Sequence, residues 1–334
     1  MNSRFLALII VLAVAVSVPA AAQTPSAAAK PTAAHKWTPP RTPDGHPDLQ
    51  GVWSYATLTP LERPAEFAGK EFLSEQEAAE YEKRRLRDSN QDRRDGGAEA
   101  DVARAYNDFW WDRGSKVVVT RRTSLVVDPP DGRIPPLTPE AQKRAAERTE
   151  ARRLRPADGP EDRPLAERCI LFGSGGAPML PTAYNNNAQF FQTRDHVVII
   201  NEMVHDARVV ALDGRPPLPK NVRQWLGDSR GRWEGDTLVV ETTNFTDKSN
   251  FRGSGEHLRL IERFTRVAED TLLYEFTVDD PASFTRPWKV ELPLWKNPEL
   301  TYEYACHEGN SGMAGVLGGY RKAEAEEAAR KGTK

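Results

Sequence analysis

The sequence predicts a mainly β protein: an antiparallel meander that closes into a barrel or a strongly curved sheet, with peripheral helices. Three observations carry this. From residue 187 onward, short runs rich in β-branched and aromatic residues follow one another with turn signals between them. The runs are too closely spaced for crossover helices, which implies antiparallel pairing. Alternation is clean where it can be read: Leu272, Tyr274, Phe276 and Val278 share one face of a strand, and Trp288, Val290, Leu292 and Leu294 share one face of the next. Eight or more consecutive strands favour closure, because closure removes exposed edges.

In chain order, residues 1–22 read as a secretory signal, with Arg4 at the charged start, Phe5 to Val18 apolar, and Ala20-Ala21-Ala22 as the cleavage site. Residues 23–40, mostly Ala, Pro, Thr and Ser, read as a disordered leader. A single β-rich domain is expected over 41–322. Pro43-Asp44-Gly45 marks a turn, and Gly51-Val52-Trp53 starts the first strand. Helical insertions are expected near 74–88, where Ser74 and Glu77 form a capping box, and near 139–155, where Thr138 caps and Pro139 takes the first helical position. Residues 89–104 read as a charged loop. Phe109-Trp110-Trp111 form an aromatic cluster that calls for shelter, in the core or over it. Lys116–Val127 read as a strand or bent pair. Further strands are expected at 188–193, 196–202, 207–212, 237–245, 258–267, 271–278, 287–294 and 300–306. Residues 320–331 read as a short solvated terminal helix, and 323–334 as a solvated tail.

Composition excludes several function classes. The 46 basic and 48 acidic side chains nearly cancel, so no nucleic-acid partner is expected. No apolar run in the body approaches the ~20 residues of a transmembrane helix, so no stable membrane span remains after signal cleavage. Export implies a periplasmic or secreted, oxidising location. Cys169 and Cys306 are the only cysteines and are expected to form a disulfide, with a redox or nucleophilic thiol as the alternative.

Four strings, Thr42-Pro-Asp-Gly-His-Pro-Asp-Leu-Gln-Gly-Val-Trp53, Gly227-Asp-Ser-Arg-Gly-Arg-Trp-Glu-Gly-Asp-Thr-Leu-Val-Val240, Asp280-Pro-Ala-Ser-Phe-Thr-Arg-Pro-Trp288 and Glu303-Tyr-Ala-Cys-His-Glu-Gly-Asn310, resemble a large group of exported bacterial proteins of unknown function. That resemblance spans roughly residues 41–322 and implies no activity. A looser one is to calycins, the lipocalin-like barrels, whose first strand opens with G-x-W. Gly51-Val52-Trp53 matches it, and Gly231-Arg232-Trp233 is a second copy. The helices near 74–88 and 139–155 depart from the usual lipocalin plan.

Signals for chemistry are few. There is no Walker loop, dinucleotide fingerprint or G-x-S-x-G elbow, so no cofactor is expected. The glycine-rich Gly173-Ser174-Gly175-Gly176 follows Cys169-Ile-Leu-Phe172 rather than opening a helix, and reads as a turn. The candidate catalytic set is Glu202, His205, Asp206 and Arg208: His205 as general acid/base, a carboxylate to orient it, and Arg208 to hold negative charge or pair with Glu202. A buried polar network is the alternative. Candidate ligand-binding residues are Trp225 and Trp233, with His307, Glu308 and Asn310 approaching from the end pinned by Cys306. His205, His257 and His307 lack ligand spacing, so no metal is expected. Three functions follow: binding of a small apolar or aromatic molecule in a Trp-lined barrel mouth; a barrel hydrolase, isomerase or hydratase using His205; or an envelope module using the basic helix near 142–155.

Overall fold

The computed structural model describes residues 37–332 apart from 95, 104–106, 173–175 and 250. The expected signal segment 1–22, most of the leader and Gly173–Gly175 lie outside the described residues. Among the described residues ten strands form one sheet: β1 (Gly51–Ser54), β2 (Val126–Asp128), β3 (Asn187–Gln192), β4 (His196–Asn201), β5 (Ala207–Ala211), β6 (Asp228–Glu234), β7 (Thr237–Thr243), β8 (Arg259–Arg266), β9 (Thr271–Asp279) and β10 (Trp288–Asn297). The order is β1-β3-β4-β5-β6-β7-β8-β9-β10. β10 pairs back onto β1, closing a nine-strand barrel, and β2 adds to β10 outside the closure.

The alternating faces read from sequence point as expected. Leu272, Tyr274, Phe276, Val278, Trp288, Val290, Leu292 and Leu294 are all buried. Their rings continue into a chain of aromatic contacts from Phe190 through Phe264 and Tyr274 to Phe276 and Trp288. Each fully buried large apolar side chain contributes about 1.5–3 kcal/mol relative to exposure, so this interior dominates the fold's stability.

Peripheral helices are α1 (Glu75–Ser89), α2 (Gly97–Ala103), α3 (Pro139–Leu154) and α4 (Ser311–Gly332). The Ser74/Glu77 capping box is formed in both directions, and Thr138 accepts from the Ala141 amide. Among the described residues no helix is long and apolar enough to cross a membrane.

Several expectations need correction. β5 and β6 pair in parallel, not antiparallel. Residues 212–227, with three prolines, carry the chain back along the barrel and supply the dozen or so residues that a parallel connection needs. β6 itself is a strand that the polar string Asp228–Glu234 did not announce. Residues 300–306 form no strand: Pro298 follows β10, and Leu300 and Tyr302 are exposed. Of 116–127, only Val126 and Val127 lie in a strand. Helix α2 occupies part of the expected loop 89–104, and α4 begins at Ser311, ahead of the expected 320. Phe109 and Trp110 are unsheltered, at 84% and 58% exposure.

The two barrel ends differ. Registers place the tight turns 193–195, 235–236 and 267–270 at one end, the turn end. The long connections that follow β1, β2 and β7 leave the sheet at the other. There the described residues 164–172 and 176–182 lie across the opening as a strap ahead of β3. Met179 and Leu180 of the strap are buried, and the Met179 amide donates to the Tyr274 hydroxyl at 3.2 Å. The strap therefore plugs the barrel.

Candidate functional site

The disulfide between Cys169 and Cys306 is formed, with Cα atoms 5.7 Å apart. It fixes the strap to the segment that follows β10. Asn310 reinforces this link: its Nδ2 donates to the Glu167 carbonyl at 2.9 Å. Asn310 thus holds the strap in place, while His307 and Glu308 lie exposed in the adjoining turn.

The four residues proposed as a catalytic set do not converge. Arg208, inward on β5, is 3% exposed and makes a bidentate ion pair with Glu262 of β8, whose Oε1 lies 3.0 Å from Nη2. The Tyr274 hydroxyl donates to the same Glu262 oxygen at 2.7 Å. Burial, and then the Glu262 charge, hold the Tyr274 phenol well above its ordinary range. Arg208 therefore pairs with Glu262 rather than Glu202. An inward Arg flanked by exposed Ala207 and Val209 needs a carboxylate from across the barrel, and Glu262 occupies an inward position between Leu260 and Phe264.

Glu202 ends β4 at the strap end. Its Oε2 accepts from Asn187 Nδ2 at 2.7 Å. It shares a cleft of about 370 Å³ with Asp112, Tyr184, Asn187 and Tyr304. Burial, and then the Glu202 charge, raise the Asp112 carboxyl. The phenol of buried Tyr55 is raised by burial and then by the same two carboxylates.

His205 faces outward, its Nδ1 3.0 Å from the Tyr304 carbonyl oxygen. Val204 and His205 have φ of 60° and 45°. A left-handed β-branched residue costs roughly 1–3 kcal/mol, and burial of the Val204 side chain holds it there. Burial pushes the neighbouring Asp206 carboxyl up to about 6, against the opposing pull of His205. Trp233 lies elsewhere: it sits beside the 235–236 turn and stacks on His46, with ring centroids 4.7 Å apart. Among the described residues no three His, Cys, Asp or Glu side chains form a group that could hold a metal ion.

An apolar opening lies beneath the strap. A cavity of about 360 Å³ is walled by Leu165 and Phe172 of the strap, Trp225 and Leu226 before β6, and Phe245 and Leu258 of the β7–β8 connection. Of the sequence candidates only Trp225 reaches it. Its other walls come from segments far apart in the chain, and no local pattern links Phe172 to Phe245.

Compared with protein-family models and with curated proteins, the chain finds no match.

Proposed function

We propose that this is an exported binding protein for a small apolar or aromatic molecule, held at the strap end between Trp225 and the strap. Export is supported by the signal-like residues 1–22 and by the disulfide. One observation carries the binding reading. The barrel interior is filled by its own side chains and by Met179, whereas an apolar cavity of ligand size stays open at the rim. At about 360 Å³ it falls at the small end of the ~300–1,000 Å³ typical of ligand sites. The likeness to calycins agrees with a binding role, while the filled interior favours a ligand at the rim rather than within the barrel.

The test is a fluorescence titration of the full chain with N-phenylnaphthylamine, a neutral aromatic probe. Saturable one-to-one binding is expected, weakened about tenfold or more by Trp225→Ala and by Leu165→Arg. Absence of saturable binding, or binding indifferent to both substitutions, would overturn the proposal.

A second reading is favoured by the Asp112–Glu202 cleft. Two carboxylates whose environments differ can divide acid and base roles. In this form the enzyme uses Asp112 and Glu202, and Arg208 takes no part because it is sealed with Glu262. Asp112→Asn and Glu202→Gln should each abolish any turnover found in a substrate screen, and turnover surviving both would end this reading.

A further inference from the structure

The apolar cavity has a second hollow beside it, of about 420 Å³, with which it shares Arg152, Pro164, Leu165, Trp225 and Lys248. That outer hollow is basic, lined by Arg148, Arg152 and Arg155 of α3 and the segment following it, by Arg163 and Arg168 of the strap, and by Lys248. Its acidic lining residues are Glu161 and Asp162.

These charges are not equally engaged. Arg163 is held by Glu167, Arg148 donates to the Asp247 carbonyl, and Arg155 and Arg168 each lie 4.0 Å from Asp162 and Glu161 respectively. Among the described residues neither Arg152 nor Lys248 makes an ion pair. Both stand at the neck, beside the Trp225 ring, where the apolar cavity meets the basic hollow.

Resting on the binding role proposed above, we infer that the ligand is a small amphipathic anion: an aromatic or alkyl body carrying one carboxylate or sulfonate. The body fills the space between Phe172, Trp225, Leu226 and Phe245. The anionic group stays at the neck, between the Arg152 guanidinium and the Lys248 ammonium. Two exposed cations, without an ion-pair partner among the described residues and lining the mouth of an apolar chamber, match a molecule of that polarity and disfavour a cation of the same shape. The arrangement also gives the basic face of α3 a role that its weak apolar stripe did not suggest. Field lines from the flanking arginines extend outward and favour encounter with anions at low ionic strength.

The test uses two probes with one ring system. Anilinonaphthalene sulfonate carries the anionic group, and N-phenylnaphthylamine lacks it. Both are titrated into the full chain and into the Arg152→Gln/Lys248→Gln double variant, with far-ultraviolet circular dichroism to confirm the fold. The sulfonate is expected to bind about tenfold tighter than the neutral probe at low salt, as two partly solvated charge contacts would give. In the double variant that preference should fall to within about twofold. Added salt should erode it in the wild type only. Equal affinities in the wild type, or a preference that survives in the double variant, would overturn the anion inference and leave the apolar site standing. Failure of both probes to bind would overturn both.

Discussion

The backbone amide of Met179 bonds to the hydroxyl of Tyr274 inside the barrel, joining the strap to the centre of the sheet. Through Glu262, Tyr274 also reaches Arg208, so one buried chain of polar groups runs from strap to barrel wall. That chain decides where a ligand can go, because the strap fills the opening that an empty barrel would offer.

Tyr274→Phe should lower stability by about 1–3 kcal/mol, since it leaves the Met179 amide and one Glu262 oxygen each short of a partner. Urea denaturation measures this. A neutral result would mean that the strap is not anchored through Tyr274.

Glu262→Leu should cost about 3–5 kcal/mol by leaving the Arg208 guanidinium buried without its counter-charge. The double variant Arg208→Met/Glu262→Leu should recover most of that loss. A double-mutant cycle in denaturant checks both. If Glu262→Leu were tolerated, the pair would have to be hydrated rather than sealed.

Replacing both Cys169 and Cys306 by Ser should lower stability by about 4–5 kcal/mol on the chain-entropy account, because the bridge spans a sequence separation of 137. The same change should weaken N-phenylnaphthylamine binding, since Leu165 and Phe172 are carried by the strap the bridge holds. Unchanged binding in a folded double-Ser protein would show that the barrel contacts alone position the strap.

Asp206 provides the pH dependence. Burial raises its carboxyl from 3.8 to about 6. Between these values the folded chain keeps a proton that the unfolded chain has released, so this group's contribution to stability falls as pH rises through that window. Asp206→Asn should therefore stabilise the protein above about pH 6, by on the order of 1 kcal/mol once partial solvent exposure is discounted, and make no difference below about pH 4. Denaturation midpoints of the two proteins across that range give the comparison, and a constant offset would refute the assignment.

Much of the fold was legible because it is written in alternation. Leu272 to Val278 and Trp288 to Leu294 show their inward faces at a glance. β6 was not legible, since Asp228, Ser229 and Arg230 are polar and their partners, Thr242 and the Asp228–Arg230 ion pair, come from folding. The site was legible only in pieces. Arg208 was paired with Glu202 in sequence, but its partner comes from β8, 54 residues away, rather than from the end of the adjacent strand, and Glu202 falls on the side of half-buried Val198 and Ile200 rather than with the core residues Val197 and Ile199. Trp233 looked equivalent to Trp225 in the same string, yet β6 runs the length of the barrel and leaves the two at opposite ends. Phe172, Phe245 and Lys248 stood out in no motif, and Arg152 only as one of many charges on the basic helix, because the tertiary fold alone brings them together.

The most direct test of the account is a crystal structure of the full chain grown with N-phenylnaphthylamine. The account expects the naphthalene ring beneath the strap, against Trp225, Leu226 and Phe245, with Met179 still bonded to Tyr274. A ring found inside the barrel with Met179 displaced, or beside Trp233 and His46 at the turn end, would contradict it.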